Sequence, residues 1–378
     1  MSAPRRILVI FGTRPEAIKL APVIEALAAT PTLTPRVCVT GQHREMLDQM
    51  LTVFGITPDH DLAVMRPDQD LFELTARSLT GLRAVLDAER PAAVLVQGDT
   101  TTAMVASLAA FYRKVPLGHV EAGLRSGQTY DPYPEEMNRR VTSLLAAWHY
   151  APTPLAEANL RREGVPAERI VVTGNTIVDA LHAIVARLDG NPTAPAPAVP
   201  LQQLVGRRLV LVTGHRRESF GEGLRNVCLA LRDLAARHPD ILITYPVHLN
   251  PAVQQPVREI LADHRNVVLT APLDYLPFVD LMRRAHLILT DSGGIQEEAP
   301  SFGVPVLVMR ETTERPEAIA AGTAELVGTR REAIVAAADR LLTDRDAHAR
   351  MRSAQNPFGD GAAAPRIAAH LAAALAGR

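Results

Sequence analysis

The chain has 378 residues, more than one hydrophobic core usually supports, so its length predicts two domains. Hydrophobic residues make up 47% of the chain and charged residues 21%, values that exclude an intrinsically disordered protein. The 40 Lys and Arg against 41 Asp and Glu leave a net charge of −1. No overall electrostatic field would therefore draw the protein to nucleic acid or to an anionic membrane.

Nothing in the sequence indicates export or membrane insertion. The apolar run ILVIF follows two arginines near the N-terminus but is too short for a signal peptide. No stretch approaches the roughly 18 consecutive apolar residues of a membrane-spanning helix. The two cysteines, Cys38 and Cys228, lie in segments that predict a buried strand and a helix, which suits a reducing compartment. The sequence predicts a cytoplasmic protein.

Short apolar runs alternate with amphipathic segments along the chain, a pattern typical of parallel α/β sheets. The first half predicts helices over 17–29 and 72–88, and strands in RILVIFG, RVCVTG, AAVLVQGD, PLGHVEAG and RIVVTGN. A proline-rich connection follows at 190–200. The second half predicts strands in RLVLVTGH, ILITYPVH, NVVLT, HLILTDSGG, PVLVMR and AELVG, and the chain ends in an Ala-rich helix. The fold class is therefore α/β, with two parallel sheets.

The loop after the first predicted strand, FGTRPEAIKLAP, leads directly into a helix and carries two cationic side chains. Arg14 lies at the loop tip, where a guanidinium can bind two phosphate oxygens. Lys19 lies about one turn further along the helix. The alternative for both residues is surface salt bridging. Because open parallel sheets bind ligands at the carboxyl ends of their strands, we expect this loop to bind an anion.

Acidic residues follow two later strands and begin one helix. Asp99 ends the strand of AAVLVQGD, where it is either an active carboxylate or the cap of the next helix, a role that the following Thr could also take. His119 and Glu121 fall on one face of the strand in PLGHVEAG by its two-residue period, and a carboxylate there is costly unless paired or functional. Glu135 and Glu136 begin a helix, where acidic residues are ordinary.

Two strand ends in the second half predict a diphosphate site. His215 is the last residue of RLVLVTGH and Arg216 follows it, and the two could bind phosphate or supply a general acid. The glycines of TDSGG precede a short helix beginning near Ile295, and they would let a phosphate approach its free N–H groups. Glu298 suits the ribose hydroxyls, unless the stretch is only a tight turn with solvated glutamates. The sequence has no Walker A, HExxH or CxxC motif, so it predicts no metal.

These motifs occur together, in order, along nearly the whole chain: GTRPEAIK, QGDTTT, HVEAGLRS, PEEMNRR, TGNTIVDA, TGHRRESFG, YPVHLNP and TDSGGIQEEAPSFGVPVLVMRETTERPEA. In this order they resemble the non-hydrolysing UDP-N-acetylglucosamine 2-epimerases of bacteria. The resemblance implies a glycosyltransferase-B fold, in which two Rossmann-like domains face a central cleft, and a homodimer. It implies a first domain at 1–172, a UDP-binding domain at 173–361, and a last helix at 362–378 that completes the first domain.

The resemblance also implies the reaction: interconversion of UDP-N-acetylglucosamine (UDP-GlcNAc) and UDP-N-acetylmannosamine (UDP-ManNAc), which supplies ManNAc for cell-surface polysaccharide. No cofactor is implied. The C2–H bond has no adjacent carbonyl that could stabilise a carbanion, so elimination of UDP to a 2-acetamidoglucal and re-addition is the easier route. This route needs acid/base groups on both faces of C2, and the sequence leaves open which carboxylate serves which face.

Carried over position by position, the resemblance implies three sets of residues. The acid/base candidates are Asp99, Glu121 and Glu135, with His215 at the leaving diphosphate. The substrate-binding candidates are Arg14, Lys19, His215, Phe278, Ser292, Gly293, Gly294, Glu298 and Arg315. The candidates for binding a second UDP-GlcNAc as an activator are Gln42, His43, Gln69, Arg216 and His248. Phe278 would line the uracil pocket or belong to the core, and acidic Glu45 and Asp68 oppose a second diphosphate.

Three other activities stay open on the sequence: a glycosyltransferase of the same fold, a hydrolysing epimerase that releases UDP and free ManNAc, and a non-catalytic sensor of UDP-sugars. The joint presence of Asp99, Glu121, Glu135 and His215 argues against the sensor, because binding alone does not need them. Epimerisation without hydrolysis is the activity that the sequence favours.

Overall fold

The computed structural model describes residues 3–41, 44–66, 69–190, 199–214 and 221–377. The chain divides into two compact units, one of Met1–Ala180 with Phe358–Arg378 and the other of Leu181–Pro357. This division falls later than the expected boundary after residue 172. Within the described ranges, no helix combines the length and the apolar character that a membrane crossing needs.

The first unit contains a parallel sheet whose strands are β1 (Arg5–Phe11), β2 (Leu33–Val39), β3 (His60–Asp61), β4 (Ala93–Gln97), β5 (Leu117–Val120), β6 (Trp148–Ala151) and β7 (Ile170–Val172). Their order across the sheet is β3-β2-β1-β4-β5-β6-β7. The helices that follow these strands are α1 (Arg14–Ala28), α2 (Arg44–Phe54), α3 (Leu71–Glu89), α4 (Thr101–Tyr112), α5 (Glu135–Leu145), α6 (Pro154–Arg162) and α7 (Thr176–Gly190). The unit boundary lies within α7.

The five strands predicted for this half are confirmed, and two more are present. Every residue of β4 and the last five of β1 are buried, as expected for central strands covered on both faces. The unpredicted strands have weaker signals: β3 has only two residues, and β6 has the sequence WHYA, in which a histidine interrupts the apolar run. That histidine, His149, is buried, and burial lowers its pKa to about 4, so it is neutral in the sheet.

The second unit contains a six-stranded parallel sheet, with strands β8 (Arg208–Thr213), β9 (Ile241–Pro246), β10 (Val267–Thr270), β11 (Leu287–Thr290), β12 (Val306–Val308) and β13 (Ala324–Leu326). All six predicted strands are confirmed, in the order β10-β9-β8-β11-β12-β13. The helices are α8 (Leu201–Leu204), α9 (Glu222–Arg237), α10 (Pro251–Leu261), α11 (Tyr275–Arg284), α12 (Gly293–Glu298), α13 (Pro316–Ala320), α14 (Arg331–Thr343) and α15 (Arg345–Arg352).

In each sheet the strand order reverses at one place, between β1 and β4 in the first unit and between β8 and β11 in the second. Open α/β sheets bind ligands beyond the carboxyl ends of the strands at this reversal. The loop that carries Arg14 leaves β1, and the loop that carries Asp99 leaves β4. In the second unit, the hydroxyls of Thr213 and Thr290 lie 2.6 Å apart at the ends of β8 and β11. Topology therefore predicts two ligand-binding edges, one in each unit.

The C-terminal helix α16 (Ala363–Ala376) belongs to the first unit, where it packs against α1. Its first turn has no side-chain cap of its own. The buried carboxylate of Asp179 supplies one, because its two oxygens accept hydrogen bonds from the backbone N–H groups of Ala363 (3.2 Å) and Ala364 (2.8 Å). A side chain of α7 thus caps a helix that follows it by more than 180 residues.

Replacing Asp179 by Ala should lower the free energy of unfolding by about 2 kcal/mol, since two buried N–H groups would lose a charged acceptor. Thermal unfolding measures this loss, and hydrogen exchange should show faster opening of α16. The matched control is Asp189→Ala near the end of α7, where the carboxylate is exposed and forms a 2.7 Å surface ion pair with Arg283. We expect at most about 0.5 kcal/mol there. Equal losses in the two variants would contradict the capping role.

Candidate functional site

The turn between β1 and α1 is organised by the carboxylate of Glu16, which is 1% exposed. One of its oxygens accepts hydrogen bonds from the N–H of Gly12 (3.0 Å) and from the N–H and hydroxyl of Thr13 (both 2.8 Å). Burial raises the pKa of Glu16 to about 7, against the opposing effect of these bonds and one from Thr100. Arg14 follows this turn, is half-buried, and forms no ion pair with any described residue. Its guanidinium is available to an anion.

Lys19 and Glu121 are brought into direct contact between α1 and the loop after β5. The same carboxylate oxygen of Glu121 accepts a 2.8 Å hydrogen bond from the side-chain amide of Gln97. Strand β5 ends at Val120, and Glu121 has a left-handed backbone with φ of 63°. The predicted strand period over His119 and Glu121 was therefore wrong, because Glu121 lies beyond the strand. Glu121 is 9% exposed, and its carboxylate is oriented by two donors.

Asp99 lies in the loop between β4 and α4, where helix α5 holds it in two ways. A guanidinium nitrogen of Arg139 lies 2.5 Å from its carboxylate, and the side-chain amide of Asn138 donates to its backbone carbonyl at 2.9 Å. The cap of α4 is Thr100, whose hydroxyl accepts from the N–H of Ala103. The alternative in which Asp99 caps the helix was wrong, because Thr100 caps it and the Asp99 carboxylate pairs with Arg139.

The buried His119 supports the same loop. One ring nitrogen lies 2.8 Å from the carbonyl of Gly98, the residue before Asp99. Burial lowers the pKa of His119 to about 3, so the ring is neutral at physiological pH and donates its N–H to that carbonyl. His119 therefore positions the loop and does not supply a charged proton donor.

Helix α5 begins at Glu135, as predicted, and its first two residues have different surroundings. Glu136 is fully buried and accepts from the N–H of Ser126 (3.0 Å), with guanidinium groups of Arg139 and Arg140 at 3.3 Å. Glu135 is half-buried, and its carboxylate has no hydrogen-bond partner among the described residues. Glu136 is thus a structural carboxylate, whereas Glu135 is available to a ligand.

In the second unit, α12 begins at Gly293, two residues before the expected start, and Ser292 occupies the capping position. The N–H of Ser292 donates to the hydroxyl of Thr290 at 2.9 Å, which fixes the turn after β11. A Cβ atom placed on Gly294 would meet only side-chain atoms of Glu298 and Ser292, at 3.9 Å. Packing within the protein therefore does not require glycine at position 294, and the space beside this residue is open.

The other candidates of this unit lie on neighbouring elements. The guanidinium of Arg315 contacts the carboxylate of Glu297, which is 1% exposed. Glu298, the next residue, is half-buried. Phe278 lies on α11 and is also half-buried, outside the buried core, so the core alternative for it is not supported. Arg315, Glu298 and Phe278 all retain exposed surface.

Several candidates lie outside the described residues, whereas Gln69 and His248 lie within them. His215, Arg216, Gln42 and His43 are outside the described residues, as is Asp68, and nothing is described of the Glu45 side chain. Gln69, in the first unit, bonds through its amide to Met65, Arg66 and Arg77. His248, in the second unit, accepts from the N–H of Asn250 at 3.1 Å.

Sequence reasoning missed four residues that orient the candidates: Glu16, Gln97, Arg139 and Glu297. Of these only Glu16 had a local signal, since Thr13 and Glu16 form the Thr-x-x-Glu capping box of α1. Thr100 was an expected alternative for the cap of α4, and it is that cap. Within the described ranges, no group of three His, Cys, Asp or Glu side chains is placed to hold a metal ion.

Two parallel α/β sheets, each with one reversal of strand order, define the glycosyltransferase-B fold class. The solved glycotransferase of kitacinnamycin has the same fold, with a TM-score of 0.67 at 15% identity, covering 99% of this chain and 100% of its own. A family model described as UDP-N-acetylglucosamine 2-epimerase matches residues 25–372.

The UDP-N-acetylglucosamine 2-epimerase of Yersinia pestis is 55% identical over 364 residues, which cover 96% of this chain and 97% of the relative. The crystal structure of UDP-GlcNAc 2-epimerase from Neisseria meningitidis bound to UDP-GlcNAc has a TM-score of 0.87 at 47% identity, covering 97% of this chain and 100% of that one. The chain belongs to the UDP-N-acetylglucosamine 2-epimerase family.

Proposed function

We propose that the protein interconverts UDP-GlcNAc and UDP-ManNAc without net hydrolysis. The observation that carries this proposal is the oriented carboxylate of Glu121, which Lys19 and Gln97 hold at the ligand-binding edge of the first sheet. A binding module needs no buried carboxylate with such partners, whereas a proton transfer at carbon does. Family membership supplies the substrate class, because the relatives are UDP-N-acetylglucosamine 2-epimerases.

The proposed chemistry is elimination followed by re-addition. A carboxylate removes the C2 proton, the C2–H electrons form a C1=C2 double bond, and the C1–O electrons leave with UDP. The resulting 2-acetamidoglucal is protonated at C2 on the opposite face, and the UDP oxygen adds back to C1. We assign the proton transfers to Asp99, Glu121 and Glu135, with His215 assisting departure of the diphosphate. The reaction needs no cofactor.

The proposed UDP ligands follow from the local chemistry of each residue. Arg14 forms no ion pair with a described residue, so its guanidinium can bind phosphate oxygens. We assign the diphosphate also to the turn that Ser292 begins, through the Ser292 hydroxyl and the backbone N–H groups of Gly293 and Gly294. We assign Glu298 to the ribose hydroxyls and half-buried Phe278 to the uracil ring. Lys19 and Arg315 complete the substrate site, each oriented by a glutamate that it contacts.

We further infer a homodimer, because large apolar side chains are exposed on two packed helices of the first unit. Phe111 and Tyr112 on α4 are 59% and 61% exposed, and Leu144 on α5 is 84% exposed. A second copy of the chain would cover this surface. A single monomer-sized species in sedimentation at micromolar concentration would contradict the dimer.

Both cysteines are free and buried, which supports a reducing, cytoplasmic location.

We also propose that a second UDP-GlcNAc binds as an activator through Gln42, His43, Gln69, Arg216 and His248. Activation by substrate predicts a sigmoidal rate curve, and a lag when the reaction starts from pure UDP-ManNAc. A hyperbolic curve without a lag would contradict this proposal.

The proposed function is tested by incubating the purified protein with UDP-GlcNAc alone in heavy water and following the sugar by NMR. Epimerisation predicts UDP-ManNAc that carries deuterium at C2, because the abstracted proton exchanges with solvent. A hydrolysing epimerase would release UDP and free ManNAc. A glycosyltransferase without its acceptor, or a sensor, would leave the sugar unchanged.

A further inference from the structure

Glu16 uses its two carboxylate oxygens on two different loops. One oxygen accepts all three bonds from Gly12 and Thr13 in the β1–α1 turn. The other accepts a 2.7 Å hydrogen bond from the hydroxyl of Thr100, which is 84 positions away in the sequence. A capping box alone would use only the first set of contacts. The bond to Thr100 therefore links the turn after β1 to the loop after β4.

The linked loops are those that carry two residues of the proposed site. Thr13 is followed directly by Arg14, and Thr100 is preceded directly by Asp99. The two loops leave β1 and β4, the strands at which the order of the first sheet reverses. These strands are in register, with Val9 opposite Leu95, so the loops begin side by side. A small shift of one loop against the other would change the spacing of Arg14 and Asp99.

We propose that Glu16 is a positioning residue of the epimerase, which fixes the Asp99 loop against the Arg14 loop through Thr100. This inference rests on the proposed function, because it takes Asp99 as a proton-transfer group and Arg14 as a diphosphate ligand. Glu16 itself is 1% exposed, which leaves its carboxylate almost no surface for a substrate, so we assign it a positioning role. Its effect should be seen mainly in kcat, since proton transfer depends on geometry that matters most in the transition state.

The link can be cut at Thr100 with little change of volume. Thr100→Val removes the hydroxyl, and with it both the bond to Glu16 and the cap on the N–H of Ala103. Thr100→Ser retains both. Thr153→Val is the matched control, because Thr153 caps α6 through the N–H of Ala156 in the same way. We expect Thr100→Val to lower kcat about 10- to 100-fold with KM changed less than about threefold.

The other two variants separate the link from the cap. Thr100→Ser should keep kcat within about threefold of the wild-type value, which would be rescue by the conservative residue. Thr153→Val should lower the melting temperature through the loss of its helix cap, and should leave kcat and KM within about twofold. Thr100→Val should lower the melting temperature further, because it also loses the bond to the buried Glu16 carboxylate. A kcat loss in Thr100→Val no larger than in Thr153→Val would overturn the proposal, as would a failed rescue by Ser.

A double-mutant cycle with Glu16→Asp gives a second, independent result. Aspartate keeps the carboxyl group but is one methylene shorter, so we expect it to lose contact with one of the two loops. Because the two substitutions break the same link, the double variant should lose about as much kcat as the worse single variant. Multiplied losses would show separate roles and overturn the proposal.

If the wild-type protein does not epimerise UDP-GlcNAc in heavy water, the proposed function fails. If the wild-type protein is active and Thr100→Val is unaffected, only the positioning role of Glu16 is overturned.

Discussion

Replacing Glu121 by Gln is expected to lower kcat/KM for epimerisation about 100- to 10,000-fold while the protein remains folded. The amide has the volume of the carboxylate but cannot accept the C2 proton at physiological pH. It also removes the charge that Lys19 contacts and leaves that ammonium without its acidic partner. The variant should nevertheless stay folded at the assay temperature, so that the loss of kcat/KM reports the missing proton acceptor.

Rates of UDP-ManNAc formation, together with deuterium uptake at C2, measure this effect. Glu163→Gln is the control, since Glu163 also pairs with a basic side chain, Arg125, from which it accepts two hydrogen bonds of 2.7 Å. Glu163 was not assigned to the site, and its replacement should change kcat/KM less than about twofold. If both variants lose activity equally, or if Glu121→Gln turns over like the wild type, Glu121 is not a proton-transfer group.

The fold was predictable because the central strands are long enough to appear as apolar runs in the sequence. Strands β1, β4, β8 and β11 are covered on both faces, and a strand in that position is apolar throughout. The sequence could not show β3, where two residues carry no periodic signal. No local sequence pattern predicts the order of the strands in each sheet, and that order determines which loops become neighbours.

The candidate site was predictable at the level of residue type but not of contact. Polar residues at strand ends identified Arg14, Asp99 and Glu121. The partners that orient these residues come from elements far apart in the chain: Arg139 is 40 positions from Asp99, and Lys19 is 102 positions from Glu121. Such pairs are set by sheet order and helix packing, which sequence spacing does not encode.

Adjacent glutamates show a finer limit of the same kind. Glu135 and Glu136 are equivalent in sequence, but one step along a helix rotates the side chain by about 100°. That rotation buries Glu136 against Ser126 and two arginines, and leaves Glu135 half-buried. Glu121 departs from its predicted strand face for a different reason, since its left-handed backbone ends the two-residue period.

Replacing Gly123 by Ala is expected to lower the free energy of unfolding by about 3 kcal/mol and kcat about 100-fold. Gly123 has φ of 92°, and an added Cβ would lie 2.3 Å from the carbonyl oxygen of Ala156 in the first turn of α6. Because that oxygen belongs to the backbone, either α6 or the loop must move by about 1 Å to relieve the clash. The loop begins at Glu121, so its movement displaces the proposed proton-transfer carboxylate from Lys19.

Gly127→Ala is the control that separates backbone strain from the clash with Ala156. Gly127 lies in the same loop with φ of 77°, and it has open space where the Cβ would be. It should lose only the left-handed strain, about 1 kcal/mol, and keep kcat within about threefold. Thermal unfolding and steady-state rates of both variants measure the difference. A Gly123→Ala variant no worse than Gly127→Ala would mean that the contact with Ala156 does not hold the Glu121 loop in place. If Gly123→Ala loses more stability and more kcat than Gly127→Ala, the absence of a side chain at Gly123 is what lets the loop that begins at Glu121 pack against α6.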